Sequence, residues 1–263
     1  MRINRNTVLV GHKVILVPYR KQHVPRYHEW MKDPLIQEQT ASEPLSLDEE
    51  YEMQQSWAVD EDKLTFIILA RPDGDDAGPA DATSVPDLIS RCKMVGDVNI
   101  FFNEVHDDDD NDEDDTEQAA PATKEQEQRS VFDAECEIMI AERSYRRKGI
   151  AREALQMMFS FVTTTPTPAS TAPSAASETK EIESQTRPDP TLHCTLPIPP
   201  KWLTCKISLT NNPSIQLFES LGFTRQKVSE VWQEVEMRFT DTNSHGLGQS
   251  SESIREVLFW PDE

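Results

Sequence analysis

Apolar runs along the chain predict a set of β-strands. β-Branched and aromatic residues concentrate in short segments bounded by polar, glycine or proline positions, as they do in strands of a partly buried sheet. These segments read TVLVGHKVILVPY, KLTFIILA, CKMVGDVNIFF, VFDAECEIMIA, KWLTCKISL, FTRQKV and EVWQEVEMRFT. The first of them is long enough for one strand or a strand pair.

Helically spaced apolar positions predict four helical regions between those strands. In HVPRYHEWMKDPLIQEQ the helix is expected to kink or end at Pro34, and SLDEEYEMQQSWA opens with Ser46 and Glu49 in capping-box spacing. GIAREALQMMFSFV and NPSIQLFESLG follow, the latter ending at Gly222. The stripe expected to be buried in the third region comprises Ala154, Leu155, Met158, Phe159 and Val162. The order β, α, α, β, β, β, α, β, α, β, β predicts an α/β domain with a mixed sheet.

Composition separates three inserts from this domain. Residues 103–130 hold twelve acidic residues against two basic ones, and this run is expected to be a solvated, disordered insert. Residues 164–200 are rich in proline, serine and threonine and are also expected to be disordered, and 71–90 is expected to be a loop. The prediction is one domain over 1–240 and a tail over 241–263, in which IREVLFWPDE fits either a short docking helix or a tethered peptide.

The charge excludes several classes of function. A formal net charge of -21 repels nucleic acid and anionic membrane surfaces, so neither is expected as a partner. No apolar run approaches the roughly 18 residues of a membrane span, and the first residues lack the pattern of a secretory signal. Four cysteines without C-x-x-C spacing suggest neither a zinc site nor a disulfide framework, and no metal is expected. The expected location is the cytoplasm, with the nucleus as an alternative.

A basic turn between a predicted strand and helix is the candidate binding site. Arg146, Arg147 and Lys148 precede Gly149, and Ala151 keeps the helix start uncrowded. The first turn of a helix offers unpaired backbone N–H groups to an anion, and glycine lets a phosphate approach the backbone closely. The spacing therefore predicts a pyrophosphate site, although it is neither a Walker A nor a Rossmann motif.

Two segments carry a family resemblance. YRRKGIA resembles the R/Q-x-x-G-x-G/A signature with which GCN5-related N-acetyltransferases (GNAT) bind the pyrophosphate of acetyl-CoA. NNPSIQLFESLGF resembles a later element of the same superfamily, and further segments such as MVGDVNIF resemble its N-acetyltransferase 9-like branch. The resemblance covers 1–240 apart from the three inserts, and it implies a mostly antiparallel central sheet flanked by helices.

The resemblance also implies roles for particular residues. The strand holding Met139 and Ile140 would splay from the strand at Lys201, so that their backbone binds the pantetheine of acetyl-CoA. An amine acceptor would enter beneath the first two helices and attack the thioester directly. Acceptor identity stays open between an α-amine, a lysine and a small polyamine; the resemblance favours a protein amine. The residues expected to bind the cofactor are Met139, Ile140, Arg146, Arg147, Lys148, Gly149, Ile150, Ala151, Asn211, Ser214 and Phe218.

Catalysis requires a base, because an ammonium group must lose its proton before it attacks. Glu137 is the first candidate and Glu135 the second, since both lie on one face of the central strand. Many relatives carry a tyrosine that protonates the leaving thiolate where this chain has Phe218. That difference leaves a second hypothesis: a weak or inactive acetyl-CoA-binding module whose acidic insert docks basic partners. The sequence does not determine the oligomeric state.

Overall fold

The computed structural model describes residues 1–72, 84–105, 131–164, 196–241 and 254–261. Most of the acidic insert and of the proline-rich insert therefore lies outside the described residues. The hypothesis that the acidic insert docks a partner concerns that same undescribed part of the chain.

The strands of the described ranges form one mixed, mostly antiparallel sheet in the order β7-β8-β6-β5-β4-β3-β2-β1-β9. All neighbours pair antiparallel except β5 and β6, which are parallel. The strands are β1 (Thr7–Val10), β2 (Val14–Pro18), β3 (Lys63–Ala70), β4 (Lys93–Val105), β5 (Val131–Ile140), β6 (Leu203–Ser208), β7 (Phe223–Ser229), β8 (Glu234–Phe239) and β9 (Glu256–Phe259). The first predicted strand segment thus forms a strand pair.

Six α-helices accompany the sheet in these ranges: α1 (Val24–Met31), α2 (Pro34–Gln39), α3 (Leu47–Val59), α4 (Val85–Ser90), α5 (Ile150–Thr163) and α6 (Asn212–Glu219). Pro34 separates α1 from α2 as predicted, since it occupies the first turn of α2. At α3, Ser46 and Glu49 form the predicted capping box. Helix α4 corrects the expectation of a continuous loop at 71–90, because Ser84 caps its N-terminus and Leu88 is buried.

Two hydrophobic layers cover the two faces of the sheet. On one face, alternate residues such as Phe66 and Ile100 pack with Leu155, Met158 and other residues of the predicted stripe of α5. On the other face, Ile67 and Val17 pack with Tyr27 and Trp30 of α1. Burial of each large side chain contributes roughly 1.5–3 kcal/mol, so both layers hold the helices on the sheet.

The C-terminal segment forms β9 and adds to the edge of the sheet beside β1. Val257 lies opposite Leu9, and the Trp260 amide donates a hydrogen bond to the Asn6 carbonyl at 2.8 Å. This strand replaces the docking helix considered for IREVLFWPDE, and it places part of 241–263 within the sheet. No helix in the described ranges is long and apolar enough to span a bilayer.

Candidate active site

The two parallel strands at the centre of the sheet separate part-way along their length. Their pairing consists of Ala134 with Leu203 and Glu135 with Thr204, yet β5 continues to Ile140. The second half of β5 therefore has β4 as a neighbour on one side and an opening on the other. This is the splay expected of the strand that holds Met139.

A cleft of about 660 Å³ lies at this opening. A loop leads from the end of β5 at Ile140 to the start of α5 at Ile150, and α6 begins shortly after β6. Residues at the N-termini of both helices line the cleft. Its lining includes Ile36, Gln39, Thr40, Ile138, Met139, Ile140, Tyr145, Arg146, Arg147, Gly149, Ile150, Ala151, Arg152, Asn211, Pro213, Ser214, Gln216, Leu217 and Ser220.

The loop before α5 has the geometry of an anion site. Gly149 is the N-cap and has a left-handed backbone with φ of 83°, a conformation that glycine adopts without a steric penalty. It supplies no side-chain cap, so the first-turn amides of α5 remain available to a ligand. Arg147 has φ of 64°, and the Arg146 Nε donates to the Ile140 carbonyl at 2.7 Å, which joins the loop to the end of β5.

The start of α6 forms the opposite wall of the cleft. The Asn211 side chain caps this helix by accepting a hydrogen bond from the Ser214 amide at 3.3 Å. Both residues line the cleft, although the capping bond already uses the Asn211 carbonyl oxygen. Asn211 thus positions the helix N-terminus as well as lining the cleft.

Two of the residues predicted to bind the cofactor do not line this cleft. Lys148 is exposed, and its Nζ lies 5.0 Å from the centroid of the Tyr145 ring. Phe218 is 2% exposed and packs edge-to-face on Phe223, with the ring centroids 5.1 Å apart. This placement corrects the expectation that Phe218 contacts the cofactor, because the apolar face of α6 turns its ring into the core.

The two candidate bases differ in their surroundings. Glu135 Oε2 accepts a hydrogen bond from Lys206 Nζ at 3.0 Å and is therefore ion-paired. Glu137 makes no hydrogen bond or ion pair within the described part of the chain, and its side chain is exposed to solvent at one side. Partial desolvation, followed by the negative charges of Glu135 and Asp97, raises the pKa of Glu137 to about 7, and Lys206 opposes the shift. A base with this pKa is matched to proton transfer near neutral pH.

The structure also reveals a polar layer that sequence reasoning missed. Asp97 and Asn99 of β4 lie opposite Met139 and Glu137, so their side chains share the face of the sheet beneath α1 and α3. Asp97 is buried and accepts a hydrogen bond from Asn99 Nδ2 at 2.8 Å, and its other oxygen has no hydrogen-bond partner among the described residues. Burial raises the pKa of Asp97 to about 6, against hydrogen bonds from Asn99 and Tyr27. The sequence signal that could have predicted this layer is the alternation of polar residues within the apolar strand segment MVGDVNIF.

Glu50, a buried residue of α3, belongs to the same polar layer and lies on its helix side. It is buried, and its Oε1 lies 3.8 Å from His28 Nδ1, beyond hydrogen-bond distance. Desolvation raises the pKa of Glu50, while His28 acts in the opposite direction. Within the part of the chain that the structure describes, the layer is therefore rich in carboxylates and holds buried oxygens without a hydrogen-bond partner, which suits a cationic group nearby.

Comparison with known proteins agrees with this geometry. The family model described as "Acetyltransferase (GNAT) domain" matches residues 13–224. The chain belongs to the GNAT acetyltransferase family. Within it, this N-acetyltransferase is 39% identical over 247 residues to the N-acetyltransferase 9-like protein of Nematostella vectensis, covering 94% of this chain and 92% of the relative.

Other relatives support the same branch of the GNAT family. The N-acetyltransferase 9-like protein of Schizosaccharomyces pombe is 36% identical, over 92% of this chain and 100% of the relative. A mouse protein named alpha/beta-tubulin-N-acetyltransferase 9 is 38% identical, over 90% of this chain and 73% of the relative. The chain therefore belongs to the N-acetyltransferase 9-like branch, and it is an N-acetyltransferase.

A solved structure shows the same GNAT fold. Spermidine N-acetyltransferase from Vibrio cholerae, in complex with CoA and spermine, aligns with a TM-score of 0.51 at 14% identity. The alignment covers 94% of this chain and 96% of that chain. At this identity the likeness concerns the fold.

Proposed function

We propose that this N-acetyltransferase uses acetyl-CoA and transfers the acetyl group to a protein amine by direct attack. The observation that carries the proposal is the position of Glu137 on the splayed half of β5, between an anion site at α5 and a carboxylate-rich layer beneath α1 and α3. One end of the site suits a phosphorylated carrier, and the other suits a cationic amine.

The residues of the cleft fit coenzyme A. The first-turn amides of α5 and the Arg146 and Arg147 guanidinium groups would hold the pyrophosphate. Backbone groups of Met139 and Ile140, which both line the cleft, would bind the pantetheine. When bound, acetyl-CoA supplies an acyl thioester that is open to attack by an amine. Arg146 also supports the end of β5 through its bond to the Ile140 carbonyl.

Glu137 would accept the proton that the acceptor ammonium loses, directly or through water. An α-ammonium group has a pKa of about 7.7–8.0, whereas that of a lysine is about 10.4. A base with a pKa of about 7 is therefore closely matched to an α-amine and poorly matched to a lysine. We accordingly favour the N-terminal α-amine of a protein. The names of relatives as tubulin N-acetyltransferases support a protein acceptor.

Calorimetry with acetyl-CoA tests the cofactor part of the proposal. Arg146→Glu should abolish measurable binding, because it places a carboxylate at the anion site and removes the bond to the Ile140 carbonyl. Lys227→Glu makes the same change in charge on the exposed strand β7 and serves as the matched control. Equal binding by both variants, or no binding by the unmodified protein, would count against the proposal.

A peptide assay tests the acceptor. Peptides with a free α-amine and blocked lysines should release thiol and gain 42 Da, and peptides with a blocked α-amine and free lysines should react much more slowly. The reverse preference would overturn the assignment of the α-amine. Mass spectrometry locates the acetyl group in each product.

A further inference from the structure

A second large cavity lies between α3 and the end of β2, away from the cofactor cleft. Its volume is about 870 Å³, a size typical of ligand-binding pockets. Three segments form it: the turn before β1, the residues that follow β2, and the C-terminal part of α3. The buried Gln54 side chain joins two of these segments, because its Nε2 donates to the Tyr19 carbonyl at 3.1 Å. The cavity shares no lining residue with the cofactor cleft among the described residues.

The charged side chains that line this cavity are mainly cationic. Arg5, Arg20 and Lys21 line it, whereas Glu52 is the one carboxylate residue of the lining. The excess of cations is local, since the whole chain has a net charge of -21. Cations that gather in a cleft of an acidic protein create a local positive potential, which attracts an anionic partner.

Arg20 is held in place by the C-terminal segment. Its guanidinium carbon lies 3.8 Å from the centroid of the Trp260 ring, and its Nη2 donates to the Trp260 carbonyl. Trp260 is fixed beside β1, because its amide donates to the Asn6 carbonyl at 2.8 Å. A side chain that is already ordered loses less conformational entropy when a ligand binds. The segment that ends β9 therefore prepares Arg20 for contact with a ligand.

Helix α3 makes the cavity elongated. Lys21 Nζ lies 5.6 Å from the centroid of the Tyr51 ring, and the lining continues along the helix from Tyr51 to Val59. At the rise of an α-helix this wall extends for roughly 12 Å. It presents the exposed amide of Gln55, which can bond to a peptide backbone, beside apolar side chains such as Val59. Such a wall suits an extended peptide.

Strand register places the cavity within reach of the candidate base. Pro18, which lines the cavity, belongs to the same transverse row of the sheet as Ile138, the neighbour of Glu137. Three strand spacings separate the two ends of this row, or roughly 14 Å. An acceptor segment of about ten residues is long enough to run from Glu137 around α3 into the cavity.

We propose that this cavity binds a carboxylate-rich segment of the acceptor protein, several residues away from the amine that reacts. The inference rests on the proposed function for the acceptor protein, and it adds a preference for acidic acceptors. Arg5, Arg20 and Lys21 bind the carboxylates by charge-assisted hydrogen bonds. The alternative assignment is structural: these cations only hold the N-terminal turn and the C-terminal segment against the fold.

A pair of labelled peptides tests binding without catalysis. Both have a blocked N-terminus and no lysine; one is rich in glutamate, and the other has glutamine at the same positions. In fluorescence anisotropy at low ionic strength, the unmodified protein should bind the glutamate peptide about tenfold more tightly, as expected of a few exposed charge contacts. The net charge of -21 opposes this preference, so the preference requires a locally positive site.

The Arg5→Gln/Lys21→Gln double variant assigns the preference to this cavity. Both side chains are exposed, and Arg5 keeps the backbone carbonyl that accepts a bond from Arg20. The variant should retain at most about a twofold preference for the glutamate peptide, with unchanged affinity for the glutamine peptide. Lys227→Gln, which changes an exposed lysine on β7, is the control and should keep the full preference.

Acceptor peptides extend the test to catalysis. Each carries a free α-amine, a neutral spacer of about ten residues, and then the glutamate or the glutamine segment. The unmodified protein should show a KM about tenfold lower for the glutamate peptide at equal kcat, and the double variant should show equal KM values. Transfer to neither peptide would refute the proposed function, while anisotropy decides the cavity separately.

Three anisotropy results would overturn the inference. They are equal affinity of the unmodified protein for both labelled peptides, a full preference in the double variant, and an equal loss for both peptides in that variant. The second result would assign the acidic peptide to another basic surface, such as the loop before α5. If the double variant does not fold, Lys21→Gln replaces it and should reduce the preference by about threefold; an unchanged preference overturns the inference.

Discussion

Replacing Glu137 with glutamine tests the assignment of the base most directly. The amide has nearly the same shape as the carboxylate but cannot accept the ammonium proton. The substitution should leave the affinity for acetyl-CoA unchanged, because Glu137 does not line the cleft that contains the anion site. The rate of acetyl transfer should fall by roughly 10²–10⁴, the usual contribution of a general base.

The expected pH dependence follows from the pKa of about 7. The ionised fraction of Glu137 rises from roughly a tenth at pH 6 to roughly nine-tenths at pH 8, so kcat/KM should rise about tenfold across this range. Glu137→Gln should remove this acidic limb. Glu135→Gln provides a second comparison. It removes a negative charge that raises the pKa of Glu137, so the rise of kcat/KM with pH should shift to lower pH.

Thiol release measured under single-turnover conditions between pH 6 and pH 8, with saturating acetyl-CoA, provides the assay. An α-amine peptide should contribute its own titration near pH 8, and this contribution remains in Glu137→Gln. A Glu137→Gln variant that retains both the rate and the limb near pH 7 would refute Glu137 as the base. Loss of acetyl-CoA binding in parallel with activity would instead indicate a structural role.

Three further substitutions test neighbouring features. Burial raises the pKa of Asp97 from 3.8 to about 6, so the protonated carboxyl stabilises the fold fully below pH 3.8, and this stabilisation is lost as pH rises through about 6. Asp97→Asn should remove this pH dependence of the free energy of unfolding, measured in urea. Gly149→Ala should cost about 1–2 kcal/mol from its left-handed φ and weaken acetyl-CoA binding in calorimetry, and unchanged binding would argue against the anion site. Phe218→Tyr should lower the melting temperature without raising kcat, because it buries a hydroxyl at a cost of about 1–3 kcal/mol; a higher kcat would show that this position reaches the thiolate.

Much of the fold followed from short-range patterns. Alternation predicted the strands, the Ser46–Glu49 capping box marked the start of α3, and Pro34 marked the boundary between α1 and α2. The basic turn and Gly149 identified the candidate anion site for the same reason, since a helix start and its glycine are local features. Helix α4 was missed because six residues offer little periodicity beside a polar loop.

The sequence alone determined the local elements and the anion-binding loop, because capping, periodicity and glycine conformation act over a few neighbouring residues. Only the tertiary structure decided where β5 leaves β6, that Phe218 turns into the core, and that β9 joins the edge of the sheet. It also brought Asp97 beside Glu137 and placed both Lys93 and Lys148 next to the Tyr145 ring. These outcomes depend on strand register and on packing between distant segments, which no short window of the chain contains.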